Sequence, residues 1–371
     1  MASGMLQKAV LYIKETQDVG LFGVMADSRL FAAFSGSPFY FVMLPFIGLL
    51  LTVLALINGY DLATAKNQNF DKWFEFVISL VCAALASVSL YGAVIATSLG
   101  LSFAAGPWFF LSSVVLAGIH QSVMLSLNIY RAYEALAVSS QRMHYIQAAL
   151  NNAFIISLLT SIAGAVTFVL LTPIAPVVGS ACAISAAALT GLNLLWRMAP
   201  HNWKLAIKEF LQLAKPDLLL NEEQIHLSIV PYNVASLNSP LGYSHSRLFA
   251  PFDYSAAIKT MDLNTSALYI KEVLSRKIDL LNAHSTVKND VNYQKIDCLQ
   301  HIEKQFAEHS LISKSELLKE YPLAFQSFWA EKGEVEQIFD AVLAMQKKHE
   351  LALSYEIEEQ DELTHSVLNY T

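Results

Sequence analysis

The strongest constraint on this chain is the absence of charge from two long stretches of its sequence. Residues 76–130 and 143–196 contain no Asp, Glu, Lys or Arg, and they are 55 and 54 residues long. Because one transmembrane helix needs about 20 apolar residues, each stretch is long enough to cross a bilayer twice. The sequence therefore predicts a multi-pass membrane protein.

Charge divides the chain into two parts of different character. Residues 1–199 hold 8 of the 24 Lys and Arg residues and 7 of the 31 Asp and Glu residues, and residues 200–371 hold the rest. The net charge is therefore +1 in the first part and −8 in the second. This division predicts a membrane domain followed by an acidic soluble domain. The acidic balance excludes a nucleic-acid partner, since nucleic-acid binding needs clustered Lys and Arg.

About five spans are predicted between residues 38 and 196. The first begins at Pro38 and contains Pro45. Two helical hairpins follow, the first with a break at Gly106-Pro107 and the second with a break at Pro173 and Pro176. Four spans is the alternative, if the segment around Pro45 or one hairpin arm fails to cross. The expected fold is all-α: a polytopic membrane helical bundle with a C-terminal soluble helical domain. No strand-like alternation is sustained in the soluble part.

Four segments follow from these patterns. Residues 1–37 are an N-terminal amphipathic segment, and residues 38–196 are a transmembrane domain. Residues 197–354 form a cytosol-facing helical domain, and residues 355–371 are an acidic tail. In the first segment, Leu6, Val10 and Ile13 share one helical face, which is typical of a short helix lying on the membrane surface. A leader with no membrane role is the alternative.

The second hairpin carries two stripes of small residues. Small side chains recur every four positions on both arms, and this spacing lets two helix backbones approach closely in lipid. In an antiparallel pair the stripes meet level by level around a turn beside Pro173. A chance arrangement of abundant small residues is the alternative. The predicted helix-packing residues are Ala153, Ser157, Ser161 and Ala165 on the first arm, and Gly179, Ala183, Ala187 and Gly191 on the second.

Basic residues predict the orientation of the bundle. With five spans, three Lys or Arg residues fall on the side of the N-terminus, and eight fall on the side of the C-terminal domain, counted as far as Lys215. Cytoplasmic loops carry the excess of Lys and Arg. We therefore expect the C-terminal domain to be cytosolic and the N-terminus to lie on the opposite side.

A few strongly polar residues lie inside the predicted spans. Polar groups in a bilayer are expensive and often mark a pathway for ions or substrates. No Asp, Glu, Lys or Arg accompanies them in the two charge-free stretches. Hydrogen bonds between helices are therefore the favoured interpretation, and a channel or transporter path is the alternative. These intramembrane polar residues are His120, Gln121, Asn128 and Asn193.

The soluble part shows no established catalytic pattern, so we expect no cofactor and no metal. It lacks a Gly-rich phosphate loop, a His-Glu-x-x-His pair and a Gly-x-Ser-x-Gly turn. Cys298 and His301 stand three residues apart on a predicted helix, which is one pair of zinc-ligand types, whereas a zinc site needs four ligands. Ser244, His245 and Arg247 lie together in a long loop, which we interpret as a binding surface.

The C-terminus carries a dense acidic block followed by a hydrophobic residue near the chain end. The block consists of Glu356, Glu358, Glu359, Asp361 and Glu362, and Leu368 is fourth from the end. This pattern resembles the glutamate-rich C-terminal signal of Dot/Icm (type IVB) secretion effectors of intracellular bacteria. The resemblance covers the tail and the general layout, and it implies translocation into a host cell without naming an activity. A solvated acidic helix end is the alternative.

These patterns lead to one principal functional hypothesis. The chain is an integral membrane protein that anchors an acidic interaction domain for a protein partner, at the bacterial inner membrane or, if translocated, at a host organelle or vacuole membrane. A channel or transporter, with several copies assembling as a homo-oligomer, is the first alternative. A membrane-bound enzyme is the second.

Overall fold

The computed structural model consists of helices and connecting segments, and no strand occurs among the residues that it describes. The predicted all-α fold is therefore confirmed. The chain divides into two compact units, residues 1–130 with 143–214, and residues 131–142 with 215–371. The described residues are 2–65, 67–135, 139–171, 175–214, 249, 252–259, 261–284, 290–308, 310 and 313–350.

The first unit contains five helices that are long and apolar enough to cross a membrane, as predicted, rather than four. Pro45 lies inside the first of them without ending it. The helices in chain order are α1 (Ala2–Met25), α2 (Ser28–Ser35), α3 (Pro38–Thr64), α4 (Phe70–Ser98), α5 (Gly106–Glu134), α6 (Ser140–Ala165), which continues as a π-helix over Val166–Leu171, α7 (Pro176–Met198) and α8 (His201–Phe210). The five candidate spans are α3, α4, α5, α6 with its π-helical extension, and α7.

Local sequence explains where several of these helices begin. The Asp27 carboxylate accepts hydrogen bonds from the backbone N–H groups of Arg29 and Leu30 and caps α2. The Asn69 side chain accepts from the N–H of Lys72 and caps α4. Pro38 and Pro176 occupy first-turn positions of α3 and α7, where the missing N–H of proline has no helical partner to lose.

The N-terminal helix α1 packs along the last candidate span. Phe22 and Met25 form a buried cluster with Ala183 and Ala186 of α7, and the Tyr12 hydroxyl lies 3.5 Å from the carbonyl oxygen of Arg197. Later residues of α1 therefore match earlier residues of α7, so the two helices are antiparallel. This arrangement places the N-terminal end of α1 beside the C-terminal end of α7, whereas five spans alone predict opposite sides.

The face that α1 turns away from the bundle is suited to lipid rather than to water. Its exposed positions between residues 9 and 23 carry no charge, while Lys14 and Asp18 pair with each other at 2.6 Å. Val10 is buried, whereas Leu6 and Ile13 are exposed, so the face proposed from the sequence is divided between interior and exterior. The exposed uncharged residues are Ala9, Ile13, Thr16, Gly20 and Gly23.

Close contacts between small and large residues join neighbouring spans. A Cβ atom added at Gly48 of α3 would lie 3.2 Å from the Tyr91 ring of α4. Between α4 and α5, the Cys82 thiol donates to the carbonyl of Ser113 at 3.3 Å, and the Ser113 hydroxyl donates to the carbonyl of Cys82 at 3.1 Å. In lipid, such close packing and interhelical hydrogen bonds provide the attraction that the hydrophobic effect provides in water.

The second unit has its own hydrophobic core. Its helices are α9 (Tyr254–Lys259), α10 (Leu263–His284), α11 (Asp290–Ala307), α12 (Lys314–Glu320) and α13, which covers residues 334–350. The most deeply buried large side chains of this core come from α9, α10, α11 and α13, and they are Ile258, Leu274, Leu299, Ile302, Ile338, Phe339 and Val342. A core of this kind buries enough apolar surface to stabilise a helical domain in water.

Two glycines of α7 give a matched test of helix packing in the membrane. A Cβ atom at Gly179 would lie 2.9 Å from Val169 Cγ2 and 3.2 Å from the backbone of Phe168, whereas one at Gly191 meets nothing within 4 Å. We expect Gly179→Ala to lower the free energy of unfolding by roughly 1–3 kcal/mol through overpacking. Gly191→Ala should be neutral or slightly stabilising. Unfolding of the reconstituted protein in bicelles checks this, and equal effects of the two substitutions would contradict it.

Candidate functional site

The polar residues of the spans contact different neighbours. The His120 ring lies against the Phe74 ring with centroids 4.8 Å apart, and the Gln121 amide nitrogen lies 3.4 Å from His120 Nδ1. Asn128, two turns further along α5, is buried. Asn193 on α7 instead binds Glu15 of α1. His120 therefore contacts its sequence neighbour Gln121 and Phe74, whereas Asn193 belongs to a separate site.

That separate site is a buried ion pair between the first and last helices of the membrane unit. Glu15 Oε1 accepts a hydrogen bond from Asn193 Nδ2 at 2.8 Å and forms a salt bridge with Arg197 Nε at 2.9 Å. The Glu15 side chain is only 8% exposed, whereas the Arg197 side chain is 39% exposed. A buried carboxylate is tolerated only when a cation and hydrogen-bond donors compensate its charge. The cluster therefore determines where α1 lies along α7.

Glu15 retains unused hydrogen-bonding capacity. Its second oxygen, Oε2, is buried and has no hydrogen-bond partner among the described residues, and the same is true of Gln17 Oε1, two residues further along α1. The pattern of charges did not predict this site, because Glu15 falls in the amphipathic segment 1–37, outside the two stretches that contain the predicted intramembrane polar residues. The sequence signal for an embedded helix is the set of uncharged residues that recur every three or four positions between 9 and 23: Ala9, Ile13, Thr16, Gly20 and Gly23.

The predicted small-residue stripes occupy several environments. Ala165, Gly179 and Ala183 are buried, and a Cβ atom at the neighbouring Gly164 would lie 2.6 Å from Cys182 Sγ. Close approach of α6 and α7 is therefore present near their connection. Further away, Ser157 is exposed, Ala153, Ser161, Ala187 and Gly191 are half-buried, and the Ser157 and Ser161 hydroxyls donate to carbonyls of their own helix.

An apolar groove of about 670 Å³ lies between α5 and α6. Its lining includes buried residues such as Val114, whereas Ile119, Ser122 and Ser126 are exposed. The two serine hydroxyls donate to carbonyls within α5, so they offer the groove little polar character. Its lining includes Val115, Ile119, Ser122, Ser126, Ile156 and Thr160.

In the second unit, Cys298 and His301 do not form a pair of ligands, because Cys298 points into the core and His301 lies nearer the surface. Cys298 is fully buried, and burial raises the pKa of its thiol to about 12. His301 Nδ1 instead lies 3.3 Å from the Tyr321 hydroxyl and 3.5 Å from Glu320 Oε2. No group of three or more metal-ligand residues occurs in the part of the chain that the structure describes. His309, the other histidine of this region, lies outside it.

Polar contacts of Glu334 and Lys348 tie helices of the second unit together. The Lys277 ammonium group pairs with Glu334 at the start of α13, and the Tyr254 hydroxyl donates to the other Glu334 oxygen at 3.2 Å. Burial lowers the pKa of the neighbouring Lys295, and the charge of Lys277 lowers it further. Lys348 donates to the carbonyl of Ile258 in α9 and to that of Met261 just beyond this helix, so it ties α13 to the end of α9. These groups serve the packing of the domain.

Several predicted site residues lie outside the described residues. They are Ser244, His245 and Arg247 of the long loop, and Glu356, Glu358, Glu359, Asp361, Glu362 and Leu368 of the tail.

No protein family, curated protein or solved structure matches this chain.

The ion pair predicts an asymmetric response to substitution. We expect Arg197→Gln to lower the free energy of unfolding by about 3 kcal/mol, because it leaves a buried carboxylate without its cation. Glu15→Gln should cost only about 1 kcal/mol, because Arg197 is partly exposed and its long side chain can extend to the membrane interface. Unfolding of the full chain in bicelles measures both values.

Two controls accompany this measurement. The double variant E15Q/R197Q should recover most of the loss, since no buried charge remains unpaired. Lys204→Gln removes an exposed hydrogen bond to the Arg197 carbonyl and should cost less than about 1 kcal/mol. An E15Q variant less stable than R197Q would contradict the assignment of Glu15 as the buried partner.

Proposed function

We propose that this protein is a membrane-anchored scaffold that presents an acidic helical domain to a protein partner. The observation that carries the proposal is a helical unit with its own core, joined to a bundle of five apolar helices. Among its described residues 252–350, nine Asp or Glu residues are exposed against five Lys residues. A surface of this charge favours a partner with a basic face.

Binding without chemistry is the function that agrees best with the side chains. Cys298 is buried with a raised pKa, which keeps its thiol protonated at neutral pH. In the spans, the described contacts of His120 and Asn193 belong to separate clusters, which supports helix packing over one continuous path. These contacts favour a scaffold over an enzyme or a channel.

Capture of partners by the full-length protein in nanodiscs tests the scaffold. We expect a cytosolic protein to be retained relative to empty nanodiscs and released as ionic strength rises, because salt screens contacts between exposed charges. Glu272→Lys with Asp279→Lys, which changes two exposed carboxylates one heptad apart on α10, should weaken capture. The matched control is Ser275→Asn on the same face. Failure to retain any protein from the cytosol that the domain faces would contradict the scaffold.

The acidic tail supports the further proposal that the scaffold is a translocated effector acting at a host membrane. A reporter that becomes active only in eukaryotic cytosol is fused to the N-terminus, and the full chain is compared with one truncated after Tyr355. We expect reporter activity in the host cell from the full chain and its loss on truncation. Retention of both forms in the bacterium would contradict translocation and favour a resident inner-membrane protein.

A further inference from the structure

The last helix of the first unit, α8, keeps its side chains outside the packed bundle. None of its residues, His201–Phe210, is buried. Lys204 and Lys208 are half-buried, and every other position of the helix is exposed. The exposed side chains include two large aromatic ones, since Trp203 is 68% exposed and Phe210 is 86% exposed.

The exposed residues of α8 divide into an apolar face and a polar face. Trp203, Ile207 and Phe210 recur at spacings of four and three residues, which places them on one face of the helix. The exposed Leu211 extends this apolar face just beyond the helix. The residues of the opposite face are His201, Asn202, Leu205 and Glu209. A helix with an aromatic, apolar face and a polar face is typical of one that lies in the plane of a membrane surface.

Two lysines determine how α8 is turned. Lys204 Nζ donates to the carbonyl oxygen of Arg197, near the end of α7, at 3.0 Å. Lys208 Nζ donates to Gln147 Oε1 of α6, also at 3.0 Å. These bonds hold the lysine side of α8 against α6 and α7. Because the lysines lie between the two faces around the helix, the apolar face and the polar face are left on opposite flanks of this attachment.

The length of α7 gives the depth at which α8 is attached. The exposed Val177 is the second residue of α7, and the 20 residues from there to Arg197 span about 30 Å at 1.5 Å per residue. The hydrocarbon core of a bilayer is also about 30 Å thick. With Val177 at one boundary of the core, Arg197 lies at the other. Lys204 is bonded to Arg197, so α8 lies at this same boundary.

We propose that the apolar face of α8 is a lipid-contact surface that lies in the headgroup region of the membrane crossed by α7. Trp203 and Phe210 are its anchors, because aromatic rings with apolar surroundings prefer this region. The occupant is a phospholipid surface. Residues 197–214 contain three Lys or Arg residues against one Glu, and lipid phosphates complement this excess of positive charge. The contact holds the end of the first unit at the membrane surface, and it is independent of the proposed partner.

Quenching of tryptophan fluorescence in the full-length protein tests the contact. The protein is reconstituted in nanodiscs of phosphatidylcholine and phosphatidylglycerol, and the Trp203 component is obtained as the difference between the parent, which has five tryptophans, and W203F. Lipid brominated in its acyl chains reports membrane contact, and acrylamide reports exposure to water. In the W203F background, Phe210→Trp moves the probe along the apolar face. Glu209→Trp is the matched control, since it moves the probe to the polar face one residue away.

We expect the Trp203 component and the new tryptophan of F210W to lose most of their emission to brominated lipid and little to acrylamide. The new tryptophan of E209W should show the reverse. Quenching by acrylamide at positions 203 and 210 as strong as that at position 209 would overturn the proposal, because the apolar face would then lie in water. Insensitivity of positions 203 and 210 to both quenchers would also overturn it, because protein, such as a second copy of the chain, would then cover this face.

Discussion

The ion pair between Glu15 and Arg197 is the interaction on which the arrangement of the membrane unit depends. A buried carboxylate is expensive, and Asn193 and Arg197 compensate it together. Their bonds align α1 with α7, and Leu21 of α1 then packs against both the cluster on α6–α7 and the cluster on α3–α4. This polar contact thus positions α1, the helix that packs against both clusters.

Hydropathy predicted α3 to α7 correctly because their apolarity extends around the whole helix and is independent of their neighbours. It failed to identify α1 as part of the bundle because averaging over a helix ignores which face its charges occupy. Asn193 was predicted to make an interhelical hydrogen bond, but its partner lies 178 residues away in sequence. Only tertiary structure brings such residues together.

In the second unit, too, sequence spacing alone did not predict which residues come into contact. The three-residue spacing of Cys298 and His301 predicted one pair of ligand types on one side of a helix. In α11, however, Cys298 lies on the buried face and His301 lies at its edge. Cys298 enters the core, and His301 meets Tyr321 and Glu320 instead. The helices and the acidity of the domain were predictable, because they depend on local sequence and composition. The exposure of Phe328 and Trp329 was not predictable, because it depends on which apolar residues of 321–333 pack into the core.

The side of the membrane on which α1 begins tests the account most directly. Cysteines are introduced at Met5, at Asn202 after α7 and at Leu101 between α4 and α5, all of which are exposed. A membrane-impermeant maleimide is then applied to sealed vesicles of defined orientation. The antiparallel packing of α1 on α7 predicts that positions 5 and 202 are labelled from one side and position 101 from the other. Labelling of position 5 together with position 101 would contradict it, and would return α1 to the opposite surface of the membrane.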